Sequence, residues 1–457
     1  MSLLNIPSRA LRLAQIVCAV IFCLTTAGVV FGFAALKPVL IKKGVYRELC
    51  TASDGNPMIP RTCDLKLNFM FTLAAVVTNV FCLPIGVLLD RVGPQLTTLL
   101  GAAVFGLGNF FFGLEVVTPC DGYILLSIGG PTIYLSTFHL SNTFPTRSGL
   151  ILSLIIGGFN CSAFPYLIYR AIDEIQEISI RSFFWGYISI PVLAIMEQIA
   201  LGPQNSYKEG DFKETECRDF VSAADENSPL LPEGSPMMKG NDDPRDSEHD
   251  GEIAVREPFT GVMTGKPVRE QLLSSYYWTR INYFIQTVFQ QMLFYLKDHA
   301  LAESVATSFT VLLPLGGVVG VPIIGWILDK KGVGFTSLVI FFSGILYGVL
   351  GIMPSPPMQL TSIAIFVVLR PLIYTFLSDY IGKAFGYETF GTVYGLLNCI
   401  AGLFGLILRP IDVFAKNTLH GDYTVVNVVG IILGAISATI ISWRIYHQPL
   451  RGAVNEL

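Results

Sequence analysis

The sequence predicts an all-α membrane protein with twelve transmembrane helices in two pseudo-symmetric six-helix bundles. Three observations predict it. Of 457 residues, 52% are hydrophobic and only 14% charged, well below the roughly 25% charged residues of soluble domains. The apolar residues gather in runs of about 20, the length of helix that crosses ~30 Å of hydrocarbon. One span, Gly86-Val-Leu-Leu-Asp90-Arg91-Val-Gly93-Pro94, returns in altered form as Gly325-Trp-Ile-Leu-Asp329-Lys330-Lys331-Gly332. Each copy ends an apolar run with an acid, a base and a glycine, the make-up of a tight hinge between two packed membrane helices.

In chain order the runs lie at roughly 12–36, 68–89, 95–115, 122–143, 148–169 and 183–201, then 275–296, 305–328, 334–352, 360–382, 389–410 and 423–443, with ends movable by a few residues. The first run is too long for a signal-peptide core and lacks a small-x-small cleavage site, so it is expected as a retained helix. Between the sixth and seventh runs lies a polar stretch rich in Asp, Glu, Pro, Gly and Ser, typified by Asn241-Asp-Asp-Pro-Arg-Asp-Ser-Glu-His-Asp250. It cannot bury enough apolar surface to offset its ordering entropy. The expected organisation is therefore a first bundle over 1–201, a disordered linker over 202–272 and a second bundle over 273–457. Both hinge motifs then follow the second helix of their bundle, which marks an internal repeat. A second echo opens the fifth and eleventh runs, Phe144-Pro-Thr-Arg-Ser-Gly149-Leu150 and Phe390-Gly-Thr-Val-Tyr-Gly395-Leu396.

The net charge of −4 arises largely in the linker, and no basic cluster suggests nucleic acid. The nine cysteines contain no C-x-x-C, and no metal site is expected. Cys18, Cys23, Cys82, Cys161 and Cys399 lie in apolar runs and read as packing residues. Cys50 and Cys63 share the first loop; disulfide and free thiols are both open to them. No nucleophile–base pair occurs at membrane depth, so the chain is expected to be no enzyme and to carry no cofactor. Gly28/Gly32 and Gly316/Gly320 are spaced for close helix approach, without the strand and Lys-Ser/Thr of a phosphate loop.

A charge at membrane depth is costly, so an ionisable side chain at the centre of a run is a functional candidate by default. Arg370 is such a residue, near the middle of the tenth run and followed by Pro371, which frees a helix carbonyl at the same level. A sheltered guanidinium grips a carboxylate through two parallel hydrogen bonds. The bland alternative is an Arg paired with an acid or carbonyl that holds the bundle; Arg409 beside Asp412 reads that way. Neutral polar groups form a second set: Thr132, Tyr134 and Ser136 in the fourth run, Asn160 in the fifth, Tyr374 in the tenth and Asn398 in the eleventh. In the seventh, Tyr283, Gln286 and Gln290 share one helical face. Such groups glue helices singly, but a stripe on one face points to a solvated cavity. No Asp or Glu lies near the centre of a run. Facilitated diffusion is the simplest reading, with coupling open. One arginine among neutral donors suits a zwitterion with an apolar side chain, and equally a monocarboxylate.

Twelve runs with Gly86…Asp90-Arg91…Gly93 after the second resemble the major facilitator superfamily, apart from Pro94 where a base is usual. Gly129-Gly-Pro-Thr-Ile-Tyr-Leu-Ser-Thr-Phe-His-Leu-Ser-Asn-Thr-Phe-Pro145 with Arg147-Ser-Gly-Leu, and the wide first loop, are similar to the sodium-independent large-neutral-amino-acid facilitators and their fungal relatives. The resemblance implies two halves rocking about a site at mid-membrane. Gly86, Asp90 and Arg91, with Asp329 and Lys330, would form a cytosolic latch in the outward-facing state; the plain alternative is that these charges only mark the water interface. Positive-inside counting is nearly a tie, so cytosolic termini are set by the hinge motif. The resemblance implies a carrier of a small solute in a lipid bilayer, working as a monomer. A receptor or scaffold of the same fold is the alternative class. In the linker, Glu226 with Leu230 and Leu231 resembles an acidic dileucine signal read by clathrin adaptors, which points to a vacuolar or lysosomal membrane, the plasma membrane next.

Overall fold

The computed structural model describes residues 7–46, 62–114, 119–208, 212, 291–385, 389–419 and 422–447. Seven stretches among them are long and apolar enough to cross a bilayer: Arg9–Ala27, Lys66–Val92, Pro94–Leu114, Pro145–Ile175, Ile180–Leu201, Leu315–Gly351 and Pro356–Lys383. The helices are α1 (Arg9–Phe22), α2 (Phe33–Lys42), α3 (Thr62–Val92), α4 (Pro94–Leu114), α5 (Pro119–Leu135), α6 (Ser148–Cys161), α7 (Phe164–Ile175), α8 (Ile180–Tyr187) and α9 (Ser189–Leu201). Further along the chain come α10 (His299–Gly351), α11 (Pro356–Phe385), α12 (Phe390–Asn417) and α13 (Thr424–His447). Of the seventh expected run only 291–296 is described, and it is helical.

Several single expected runs are broken helices. The first run passes from α1 through a π turn (Cys23–Ala27) and a 3₁₀ turn (Val29–Gly32) into α2. Thr25 and Thr26 donate their hydroxyls back to the Ile21 and Phe22 carbonyls, and Gly28 leaves helical geometry at φ −131°. Back-bonding hydroxyls and glycine both bend a helix. The carbonyls freed there are not left bare: Tyr187 Oη donates to Thr25 O and Tyr123 Oη to Val30 O. This satisfies the rule that irregular backbone inside a membrane finds protein partners. The fourth run tightens into a 3₁₀ turn (Phe138–Thr143) after α5. The fifth breaks between α6 and α7 at Ser162, which lies against Gly28. Gly28 and Gly32 thus pack closely on the fifth run, as their spacing predicts.

Two glycines reverse the chain at the hinges. Gly93, at φ 83°, joins α3 to α4, and Gly332, at φ 72°, divides α10 into two arms. Positive φ is costly for other residues and free for glycine. Three large buried cores organise the helices, beside a small one around Ala415 and Tyr423. One lies among residues 7–208, with Phe105, Tyr123, Tyr166 and Phe184. A second lies among 291–385, with Phe309, Ile363 and Phe366. The third is shared: Ile16, Leu89, Tyr134 and Phe138 pack with Tyr374, Phe390, Tyr394 and Leu397.

Composition alone places residues 202–208 in a free linker, but they are seated on the first bundle. Gln15 Nε2 donates to Tyr207 Oη at 3.2 Å and Asn142 Nδ2 to Tyr207 O at 2.7 Å. Phe212 is buried, with Arg12 against its ring. Polar helix ends supply partners that satisfy this polar segment, a complementarity that composition does not reveal. On the face opposite the hinges, buried Asp173 holds Lys42 and Lys43, each at 2.9 Å, and fastens α2 to α7.

Candidate functional site

The two hinge carboxylates each cap a helix of the other half. Gly391 and Thr392 donate their backbone N–H groups to Asp90 at 2.9 and 2.7 Å. Gly149 and Leu150 donate theirs to Asp329 at 2.8 and 3.2 Å. Both donor pairs are the second and third residues of their helices, α12 and α6. The first turn of a helix has unpaired N–H groups and a positive dipole end, so an anion there is stabilised twice. The reciprocity is complete: the acid of each half closes on the other.

Below each cap the backbones approach as closely as glycine permits. A methyl on Gly86 would overlap the Gly391 carbonyl, and one on Gly325 would lie 2.8 Å from Leu150 Cα. The α3–α12 seam continues through Cys82 against Gly395 and Asn79 against Gly402. The α10–α6 seam continues through Ser153, which donates to Val321 O at 3.2 Å, and through Gly317 against Gly157 and Asn160. Gly316 and Gly320 instead face Val367 and Pro371 of α11, the close approach their spacing predicts.

The caps also correct the second sequence echo. Gly149 and Gly391 hold matching places, whereas the Phe-x-Thr pattern pairs Gly149 with Gly395, one helical turn away. The better echo, missed in the sequence reading, is Pro131-Thr-Ile-Tyr134 in α5 and Pro371-Leu-Ile-Tyr374 in α11. The matching tyrosines both belong to the shared core. There Tyr134 and Tyr394 both pack on Phe138, which also packs on Phe390 with ring centroids at 5.3 Å. The result is an aromatic plug between the halves, just inside the caps.

Arg370 is 9% exposed, with its Cζ 5.6 Å from the Tyr374 ring centroid. Its Nε is buried without a hydrogen-bond partner, and no carboxylate among the described residues pairs with it. A buried polar atom left unpartnered calls for an explanation, because desolvating a charged group without compensation is costly. Beside it opens an apolar recess between the second arm of α10, α11 and α13. Asn160 presents the complementary deficiency. Its Nδ2 donates to Ile156 O at 2.9 Å, while its buried Oδ1 accepts nothing.

The remaining expected residues divide. Thr132 lies against Gly101, and Ser136 Oγ is 2.6 Å from Thr98 Oγ1, so both pack against α4 inside their own half. Each hydroxyl donates to a carbonyl of its own run and meets a neighbouring helix there, the arrangement by which such groups hold helices together. Asn398 donates to Tyr394 O and braces the plug. Arg91 and Lys330 are exposed and form no ion pair among the described residues, so each cap is made by its carboxylate. Tyr283, Gln286, Gln290 and the Glu226, Leu230, Leu231 signal lie outside the described residues, as do Cys50 and the side chains of Cys63, Arg409 and Asp412. Neighbouring Gln291 accepts from Asn427 Nδ2 at 3.0 Å and ties its helix to α13.

Apolar membrane-length helices, reciprocal caps on two glycine-lined seams and an unpaired arginine at depth define a multi-pass membrane carrier. The chain belongs to the Major Facilitator Superfamily, whose family model matches residues 22–409. It is 36% identical to Protein FMP42 of Saccharomyces cerevisiae over 98% of this chain and 97% of that one. It is 22% identical to Amino acid transporter 6-1 of Toxoplasma gondii, over 87% and 72% of the two chains. With Large neutral amino acids transporter small subunit 3 of Homo sapiens it shares 21% identity over 94% and 92%. The crystal structure of the human organic anion transporter MFSD10 (TETRAN) superposes with TM-score 0.60 at 12% identity, covering 94% of this chain and all of that one. Membership makes the protein a transporter and not an enzyme.

Proposed function

We propose that the protein carries large neutral amino acids across its membrane by alternating access, with Arg370 gripping the substrate carboxylate. The observation that carries this reading is the buried Nε of Arg370, which finds no hydrogen-bond partner while the guanidinium lies over the Tyr374 ring. A carboxylate supplies the missing acceptor bidentately. The orphaned Asn160 Oδ1 is an acceptor suited to the α-ammonium, and a zwitterion satisfies both. A monocarboxylate answers only the first. Similarity to named amino acid transporters supports the same class.

In this reading the halves 1–201 and 273–457 rock about the shared core. The closed caps at Asp90 and Asp329 correspond to the state shut toward the cytosol and open outward. Tyr374, Tyr134 and Asn398 form the floor beneath the solute. The seventh-run residues Tyr283, Gln286 and Gln290 complete the lining. Transport is facilitative, the unit a monomer, and the membrane vacuolar or lysosomal through adaptor recognition of Glu226, Leu230 and Leu231.

Uptake of labelled leucine and labelled lactate into proteoliposomes tests the proposal, with and without a pH gradient. Leucine flux without need of the gradient is expected; lactate flux with no leucine flux overturns it. Arg370→Ala is expected to lower leucine uptake efficiency by a hundredfold or more, and Arg370→Lys by about tenfold, since a lysine keeps charge but loses the fork. Unchanged flux in Arg370→Ala removes the residue from the site. A scaffold of the same fold would show no flux and no Arg370 dependence.

A further inference from the structure

The hinge-face ends of α5 and α11 are held in different ways. Counted from the repeated prolines Pro131 and Pro371, His139 stands in the first half where Asp379 stands in the second, and Thr143 where Lys383 stands. The second half stays α-helical through this stretch, to Phe385. It braces the helix from within: Lys383 Nζ donates to buried Asp379 at 2.8 Å, one turn away. The first half leaves the α-helix after Leu135 and runs over Phe138–Thr143 as a 3₁₀ turn. Six residues is long for that geometry, whose hydrogen bonds are poorer, so this turn needs support from outside.

The support comes from the segment that follows α9. Tyr207 N–H donates to His139 Nδ1 at 3.4 Å, and Asn142 Nδ2 donates to Tyr207 O at 2.7 Å. Arg12 Nη1 donates to Thr143 O at 2.8 Å while its guanidinium lies over the rings of Phe144 and Phe212. Arg12 and Phe212 are both buried there. The same segment crosses the first hinge, since a methyl on Gly93 would overlap the Gln204 carbonyl. Its contacts reach the seal between the halves. Phe138, next to His139, packs on Phe390 and Tyr394 of the other half, and Tyr207 itself packs on the shared core.

We infer that residues 204–208 with Phe212 are a strap that favours the closed hinge, by holding the 3₁₀ turn in the shape that presents Phe138 to the other half. The inference rests on the proposed rocking of the halves and not on the substrate. The contacts of Phe138 with Phe390 and Tyr394 exist only while the halves meet. A strap that fixes Phe138 therefore binds the closed state better than the open one, which is the condition for shifting the balance. Such coupling is reciprocal: closure tightens the strap by the factor by which the strap favours closure. A force or partner that draws the linker away then raises the hinge-open population. The second half needs no strap, because Asp379 and Lys383 brace its helix from inside.

Spin labels at the hinge-face ends of α3 and α12, on the full chain in proteoliposomes, give the open and closed populations. Tyr207→Ala removes the ring, and Asn142→Asp sets a carboxylate against the Tyr207 carbonyl where a donor stood. Each is expected to raise the open-to-closed ratio by roughly fivefold or more, the worth of one ordinary hydrogen bond. Gln204→Ala, at an exposed residue that meets Gly93 through its backbone, is expected to change it by less than about twofold. Hydrogen exchange over 204–208 reads the strap itself. Gly86→Leu, which drives a side chain into the Gly391 backbone, is expected to raise that exchange by a similar roughly fivefold. Unchanged populations in Tyr207→Ala or Asn142→Asp overturn the strap, as does a shift in Gln204→Ala as large as theirs. Exchange in Gly86→Leu equal to wild type also overturns it, and this measurement decides should a strap variant fail to reach the membrane. One and the same label distance in wild type and Gly86→Leu overturns instead the rocking on which the strap rests.

Discussion

The two halves agree at their hinges and differ at their centres. Asp90 and Asp329 receive the same pair of N–H groups from the first turn of a helix in the other half. Gly86 and Gly325 lie one turn before them, and Gly93 and Gly332 reverse the chain after them with the same sign of φ. At depth the correspondence stops. The position before the repeated proline is Gly130 in the first half and Arg370 in the second. Gly130 lets α5 press on the Thr26 carbonyl at the break of the first run. Arg370 instead lies over the Tyr374 ring with its buried Nε lacking a hydrogen-bond partner, beside a small apolar recess. A moving part that closes two seams at once must be duplicated faithfully. A site for an asymmetric solute gains by divergence.

Breaking the duplicated part is expected to give the largest effect. Gly86→Leu drives a side chain into the Gly391 backbone carbonyl, and Gly325→Leu drives one against Leu150 Cα. Backbone cannot yield as a flexible side chain does, so each is expected to cost about 3 kcal/mol in the closed state, the upper end of ordinary overpacking. That is a more than hundredfold shift toward the hinge-open form. Distances between spin labels on the hinge-face ends of α3 and α12 report it directly. Both variants are expected to lengthen the distance; lengthening by only one would break the equivalence of the two seams.

Removing the charge while keeping the shape sharpens the same comparison. Asp90→Asn and Asp329→Asn retain an acceptor but lose the charge-assisted part of two hydrogen bonds. Each is expected to weaken closure by about 1–2 kcal/mol, near tenfold. In the proposed rocking one movement closes both seams, so the double variant is expected to reach the sum, unlike an independent pair of local contacts. The same label distances, read as populations, measure it. A double variant no weaker than either single would show that the caps do not share one closing step.

Much of this was legible in the sequence, for identifiable reasons. Hinges are written in residue types that hardly anything else explains: an acid at the end of an apolar run, with glycines before and after. Arg370 stood out because charge at mid-run is rare. The direction each polar residue faces was not legible. Thr132 and Ser136 lie close to Tyr134 in sequence, yet they meet α4 while Tyr134 meets the other half. The distinction rests on helix rotation, which an apolar run with polar residues on several sides leaves unspecified. The break at Gly28 was equally hidden, because its hydrogen bonds come from distant Tyr123 and Tyr187. The docking of residues 202–208 depends on partners as remote as Gln15 and Asn142.

The smallest expected effect concerns the bases that follow each acid. The sequence alone suggests a latch of acid and base together, but Arg91 and Lys330 are exposed and form no ion pair among the described residues. An exposed charge without a fixed partner contributes little, typically below 1 kcal/mol and screened by salt. Arg91→Ala and Lys330→Ala are therefore expected to change hinge closure and leucine uptake by less than about twofold. Their role is then at the membrane surface, where a cation near the lipid headgroups helps fix helix orientation. Label distances and uptake should stay level while the fraction of correctly inserted protein falls slightly. A tenfold loss of closure in either variant would instead place the base in the latch, through a partner reached only during the movement.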